Sequence, residues 1–420
     1  MEKKQELDVV AKLIKHVANL QNKSPFYQAL LKNHAAINFS TLEEFAQLPV
    51  TSKDDLQQYN EDFYAVSPDQ FADVVSTSGT LGAPVFVPLT EADLSRLSAN
   101  EAYALSVSGI TKQDVVCITT TLDKRFMAGM AYYLGVRAIG ATAVRTGPGV
   151  LGLQWDSILK TQVTAIIGVP SFMLKLIEYA LKEGIDLNQS SVKKIICIGE
   201  PIRDSKLKLN ALGEKITRHW KVGLFSTYAS TEMATAFNEC QFQMGAHHNP
   251  ALVYVELLDE AGQQVPDGTV GEITVTSFDV EAMPLLRFKT GDMAYKISAP
   301  CSCGRPSFRL SPIVGRKQHL IKLKGTNVYP AAIENVLHSF EAINKYLLVI
   351  ASDASGADQL TIKLGNESNA HSMVVLAQLK EMLQSNLRVT PKVEWAANEA
   401  IDAMLFRNGS RKPMKVLDLR

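Results

Sequence analysis

Apolar positions at helical spacing, Val10, Leu13, Ile14 and Val17, predict a helix within residues 5–33, with Ser24-Pro25 placed to cap a second helix. Ser40-Thr41-Leu42-Glu43-Glu44 and Thr51-Ser52-Lys53-Asp54-Asp55 each set a hydroxyl ahead of acidic residues, the pattern of a helix start. Phe71–Val75 and Val85–Leu89 read as strands on either side of Ser76-Thr77-Ser78-Gly79-Thr80-Leu81-Gly82-Ala83-Pro84. Between 90 and 225, helix-like segments alternate with short apolar runs at Val115–Thr119, Ala165–Pro170 and Lys194–Gly199. That alternation predicts α/β layering. Further strands are expected at Leu224–Glu232, Pro284–Asp292, Tyr346–Ala351 and Leu360–Leu364.

Length changes this picture more than composition does. The 420 residues exceed what one core usually organises and predict two domains. Hydrophobic residues make up 46%, and the 43 basic residues equal the 43 acidic ones, so neither disorder nor nucleic-acid binding through bulk charge is expected. No apolar run is long enough to span a membrane. Five cysteines, an odd number, argue against a disulfide framework and for a reducing cytoplasm.

The candidate chemistry lies at the ends of the strand-like runs. The Ser/Thr/Gly stretch at 76–84 suits an anion, since glycine amides approach closely and hydroxyls add donors, although a plain solvated turn has the same composition. It lacks the Gly-Lys-Ser/Thr ending of a Walker loop. In open α/β sheets ligands gather beyond the carboxyl ends of strands, which makes Gly168-Val169-Pro170 and Gly199-Glu200-Pro201 candidate walls. Tyr228-Ala229-Ser230-Thr231-Glu232 offers an aromatic face for a base and a carboxylate for Mg²⁺. Gly291-Asp292 ends a strand-like run and reads either as an exposed carboxylate for ribose hydroxyls or as a hairpin turn.

These stretches, with Gly315-Arg316, Ile321-Lys322-Leu323-Lys324-Gly325 and the closing Val416-Leu417-Asp418-Leu419-Arg420, stand in the order of the adenylate-forming superfamily. The chain resembles its phenylacetate–CoA ligase-like members over nearly its whole length. The resemblance implies an α/β fold: a large N-terminal domain of layered sheets and helices (1–316) and a small, mobile α+β C-terminal domain (317–420). It also implies AMP-forming acid–thiol ligation. A carboxylate attacks the α-phosphate of ATP, pyrophosphate leaves, and the thiol of CoA, or of a carrier protein's phosphopantetheine, displaces AMP. By position, Thr77, Ser78, Gly79 and Thr80 would grip the leaving phosphates, Glu232 would hold Mg²⁺ and Thr231 would touch the α-phosphate. Tyr228, with Ala229 and Ser230 beside it, would stack on adenine against Gly199, Glu200 and Pro201. Asp292 and Arg316 would hold the ribose. Lys412, with Lys415 as the alternative, would stabilise the adenylation transition state, and Lys322 and Gly325 would shape the thiol tunnel after domain rotation. The chain departs from the family pattern at Gln318 in the hinge and at Leu81 and Ala83 in the cradle, where Thr and Lys are usual.

Two further expectations concern ligands. Cys240, His247, Cys301 and Cys303 form a donor set for a structural Zn²⁺, with His248 competing for the histidine position; free cysteines are the alternative. Tyr132, Tyr133, Gly135, Gly168, Val169 and Pro170 are placed by position around the acyl group, where aromatic walls would favour an aryl acid. Partners are therefore an aryl carboxylate and CoA or a carrier protein, with a homodimer admissible. The competing class is a nucleotide-binding regulator that has lost catalysis.

Overall fold

The computed structural model describes residues 2–34, 38–77, 84–323, 326–343, 345–352, 357–365, 372–406 and 413–420. Four helices open the chain: α1 (Glu2–Lys23), α2 (Pro25–Leu31), α3 (Leu42–Phe45) and α4 (Lys53–Gln58). Thr41 caps α3 through the amide of Glu44, and Ser52 with Asp55 forms a reciprocal capping box on α4, as the hydroxyl–acid patterns predicted. Ser24 stands at the N-cap of α2 ahead of Pro25, as expected, but does not cap it through its side chain. Its Oγ donates to the Asp62 carbonyl at 3.0 Å and makes no bond to α2.

Strands β1 (Asp73–Ser76) and β2 (Phe86–Leu89) pair antiparallel and flank residues 78–83, which lie outside the described residues. Then come α5 (Glu91–Val107), β3 (Val115–Ile118), α6 (Met127–Ile139), β4 (Thr142–Arg145), α7 (Leu151–Lys160), β5 (Ala165–Gly168), α8 (Pro170–Lys182), β6 (Lys194–Cys197) and α9 (Ala211–His219). Strands β7 (Gly223–Ser230), β8 (Thr235–Glu239), β9 (Ala246–His247), β10 (Val253–Leu258), β11 (Val270–Ser277), β12 (Phe288–Ile297), β13 (Arg309–Leu310) and β14 (Gly315–Arg316) follow. One large sheet runs in the order β10-β11-β12-β13-β9-β8-β7-β6-β5-β3-β4, with β14 paired to β12. Strands β3 to β6 pair parallel, as crossover helices require, and β8 to β14 pair antiparallel.

β7 belongs to both halves. Its first residues, Gly223–Ser226, pair parallel with β6, and Thr227–Ser230 pair antiparallel with β8. β6 stops opposite Ser226 while β7 runs on to Ser230, and a crevice lies at the carboxyl ends of the parallel strands.

Several buried clusters hold these layers, three of them as follows. Leu13, Leu20, Tyr27, Phe45 and Phe63 pack the opening helices against Phe288. Trp155 and Trp220, 5.4 Å apart, sit with Ile166 and Ile195 between the parallel strands and α7–α9. A third cluster, including Ile333, Leu348, Ile362 and Leu379, belongs to the C-terminal part. That part contains β15 (Ile321–Leu323), β16 (Thr326–Val328), α10 (Pro330–His338), β17 (Tyr346–Ser352), β18 (Asp358–Gly365), α11 (Ser372–Leu387), β19 (Lys392–Ala396), α12 (Asn398–Leu405) and β20 (Val416–Asp418). Its main sheet is ordered β19-β18-β17-β20. No described helix is long and apolar enough to cross a membrane.

Candidate active site

The crevice beside β7 is a cavity of about 780 Å³. Its walls are the strand ends: Thr119 and Thr120 after β3, Val169 after β5, Ile198 to Pro201 after β6, and Ser226 to Glu232 on and after β7. Thr77, Asp292 and Arg316 complete it from other parts of the chain. Gly199 takes a left-handed φ of +74°, which lets the chain turn sharply off β6. Glu200 then reaches back to α8, accepting from the Ser171 amide at 2.9 Å and its hydroxyl at 3.1 Å.

Asp292 corrects the expectation of an exposed strand end or hairpin turn. Glu272 opposes Met293 while Thr274 opposes Lys289, so β12 carries a bulge over Thr290-Gly291-Asp292 and continues to Ile297. The Thr290 hydroxyl fixes the bulge, donating to the Ile273 carbonyl at 2.9 Å and accepting from the Asp292 amide at 3.1 Å. Gly291 holds φ +76°. The bulge leaves the Asp292 carboxylate buried, accepting from the Tyr228 hydroxyl at 2.9 Å and lying 3.4 Å from Arg316 Nε. Tyr228 keeps part of its surface open to the cavity. Burial first, then the charge of Asp292, holds its phenol well above the ordinary value, so the hydroxyl remains a donor at neutral pH.

Thr77 closes the neck of the cradle: its amide donates to the Val85 carbonyl at 3.0 Å, and its Oγ1 accepts from the Val85 amide at 3.1 Å. Ser78, Gly79 and Thr80 lie outside the described residues, as do Gly325 and Lys412. Lys415 is 3.4 Å from Glu200 Oε1. Exposed Gln318 lines the cavity mouth, whereas Lys322, on β15, does not line the cavity. Of the residues expected around the acyl group, Tyr132 and Val169 line the cavity. Tyr133, Gly135, Gly168 and Pro170 are not among the lining residues. Tyr133 lies under the guanidinium of Arg145, 5.1 Å from its ring centre, and Gly135 lies directly against the backbone of Glu101.

Among the lining residues that went unread in the sequence, two carry charge that bears on the chemistry. Lys53, noted there only as part of a helix start, projects into the cavity with Nζ 3.4 Å from Glu232. A lysine at the first position of a helix faces the unfavourable end of the helix dipole, which was a legible sign of another task. Glu101 sits one turn after Leu97 and one turn before Leu105 on the buried face of α5, and an acid at a core position was the corresponding sign.

Away from the cavity, the ligand atoms of Cys240, His247, Cys301 and Cys303 lie within 4.8 Å of one another. Cys240 and Cys301 sulfurs are 3.6 Å apart, and Cys303 Sγ is 3.4 Å from His247 Nε2. His247 Nδ1 meets the Ser307 hydroxyl at 3.0 Å. His248 points elsewhere, its ring packed on Phe308 at 4.6 Å.

The chain is 29% identical over 359 residues to a phenylacetate–coenzyme A ligase of Thermus thermophilus, covering 83% of this chain and 78% of that one. Among solved structures, 2-hydroxyisobutyryl-CoA ligase in its postadenylation state covers the whole chain and 90% of its own, at TM-score 0.84 and 23% identity. The same ligase in its thioesterification state gives 0.70. Residues 5–281 match the family model described as AMP-binding enzyme, residues 325–420 match the model of its C-terminal domain, and the chain belongs to the AMP-binding enzyme family.

Proposed function

We propose that the protein is an ATP-dependent ligase that converts an aryl carboxylic acid to its acyl-adenylate and then to a CoA thioester. One observation carries this reading: Thr77, Gly199–Pro201, Tyr228–Glu232, Asp292 and Arg316, far apart in the chain, line a single cavity. The relatives named for CoA ligation support the acceptor. In the first step a carboxylate oxygen bonds to the α-phosphorus and the bond to the pyrophosphate oxygen breaks. In the second, the thiolate sulfur bonds to the acyl carbon and AMP leaves. Both steps gather or shed negative charge, so placed charge dominates their catalysis.

In this reading the ring of Tyr228, with Ala229 and Ser230 beside it, stacks on adenine opposite Gly199, Glu200 and Pro201. Asp292, oriented by the Tyr228 hydroxyl and Arg316, accepts from the ribose hydroxyls. Thr231 contacts the α-phosphate. Glu232 fits one position of a Mg²⁺ whose other ligands would be phosphate oxygens and water. Thr77, Ser78, Gly79 and Thr80 hold the departing phosphates, and Lys53 supplies the cation that Ala83 does not. Residues 1–316 would form one domain and 317–420 a second that turns about Gln318, withdrawing Lys412 and bringing Lys322 and Gly325 to the thiol. The higher likeness to a postadenylation state supports assigning the present arrangement to that stage.

Zn²⁺ suits the cysteine–histidine set on its donor chemistry. A tetrahedral ion with Zn–S bonds of about 2.3 Å separates its ligands by about 3.8 Å, close to the spacings observed. Ser307 would then hold the tautomer of His247, and a reducing cytoplasm would keep the thiols available.

The test is pyrophosphate exchange and AMP release across a panel of aryl acids, with CoA and a phosphopantetheinyl carrier protein offered separately. Exchange that requires an acid, with AMP release completed by CoA, is expected. If no acid in the panel supports exchange, the ligase reading fails and a nucleotide-binding regulator is favoured.

A further inference from the structure

The described chain buries seven acidic side chains, and six of them have evident partners. Glu239 pairs with Arg203 at 2.8 Å, Glu256 with Arg287 at 2.9 Å, Glu272 with Lys317 at 2.9 Å and Glu232 with Lys53 at 3.4 Å. Asp292 has Tyr228 and Arg316, and Asp93 accepts from the amides of Thr90, Glu281 and Ala282. Glu101 is the exception. It is 4% exposed, and its side chain's one hydrogen bond among the described residues is from Asn100 Nδ2 at 3.2 Å. No basic side chain offsets it there, and burial pushes its carboxyl up to about 7.

The position of Glu101 is built. Gly135 of α6 presses on its backbone so closely that a Cβ there would stand 2.5 Å from Glu101 Cβ and 2.9 Å from its carbonyl carbon. Only glycine allows α5 and α6 to approach this far, and the approach sets Glu101 on the cavity wall beside Leu97, Met127, Ala131 and Tyr132. A carboxyl in such apolar surroundings costs stability unless something donates to it.

We propose that Glu101 selects the acid substrate by accepting a hydrogen bond from a hydroxyl or amino group that the acyl moiety carries away from its carboxylate. The inference rests on the ligase reading and narrows it. The substrate class becomes aryl acids with a ring hydroxyl or amine, and Gly135 acts as the positioning residue that keeps Glu101 at the wall.

The test compares 4-hydroxy- and 4-aminophenylacetate with phenylacetate and 4-methoxyphenylacetate, in the parent, Glu101→Gln and Glu101→Leu. Two readouts are taken: kcat/KM for acid-dependent pyrophosphate exchange, and the shift in melting temperature caused by each free acid. The parent is expected to favour the donor-bearing acids by about tenfold or more over the methoxy compound, the value of one hydrogen bond to a charged group. Glu101→Leu is expected to reverse that ratio, and Glu101→Gln to keep part of it. Because leucine suits the apolar wall and glutamine matches the shape of glutamate, misfolding of both is not expected. Equal preferences in the parent and the leucine variant would overturn the proposal, as would a parent stabilised by no donor-bearing acid. Loss of exchange with every acid, while thermal stabilisation still depends on Glu101, would remove the ligase reading and leave the recognition role standing.

Discussion

At the scale of single residues, the buried acids among the described residues are met by local compensation except at Glu101, and two other side chains give measurable consequences. Lys53 lines the cavity beside Glu232, and the function proposed above gives it the departing phosphates as a partner. Lys53→Ala is expected to raise the KM for ATP about tenfold or more, the loss of one charge-assisted contact, and to change the KM for the acid much less. Initial-rate titration of each substrate separates the two, and equal changes would place Lys53 outside the phosphate site. His16 gives a pH dependence. Its Nε2 meets the Leu285 carbonyl at 3.0 Å, and burial, only partly opposed by that bond, lowers its pKa from 6.5 to about 4. Between those values the unfolded chain binds a proton that the folded chain does not, so stability falls as pH falls through this window. The full loss is about 3 kcal/mol. His16→Gln keeps a donor for Leu285 but cannot titrate, so urea denaturation should show a flatter pH dependence in the variant. An unchanged slope would assign the acid sensitivity to other groups.

At the scale of elements, the parallel strands and the capped helices α3 and α4 were legible because their signals are local: apolar runs ended by glycine and proline, and hydroxyls placed three residues before acids. The Asp292 site was legible only in part. Gly291-Asp292 showed that the chain must bend, but whether it turns back or bulges depends on Ile273 across the ladder, which no local window contains. The same holds for Lys53 and Glu101, whose residue types were visible while the wall they face was not. Tyr133 shows the opposite error, since an aromatic at the right position turned away to pack with Arg145. The bulge offers its own test. Thr290→Val removes both bonds made by the hydroxyl and should cost about 1–3 kcal/mol. If the bulge positions Asp292 for ribose, the KM for ATP should also rise, with kcat for exchange less affected. Lost stability at an unchanged KM would make the bulge purely structural.

At the scale of the whole molecule, few polar contacts among the described residues join the C-terminal part to the rest beyond the Lys317–Glu272 pair at its start. The Ala211 amide at the start of α9 donates to Asn335 Oδ1 on α10 at 3.0 Å, Lys415 approaches Glu200, and an exposed Arg218–Glu341 pair lies at 3.6 Å. Exposed or half-exposed pairs contribute about 0–1 kcal/mol each, which suits the domain rotation proposed above. Asn335→Ala should therefore slow acid-dependent exchange a few fold and leave thioester formation from a supplied acyl-adenylate unchanged. Equal slowing of both would mean that this contact does not distinguish the two arrangements. The split allegiance of β7 bears on cooperativity. Its first residues are held by one half of the sheet and its last by the other, with no described strand beside Thr227–Ser230 on the β6 side. The two half-sheets thus share one strand as a seam, and a nucleotide lodged in the fork would bind them into a single unfolding unit. Without it, hydrogen exchange should find amides on either side of the seam opening with separate free energies; with it, they should open together.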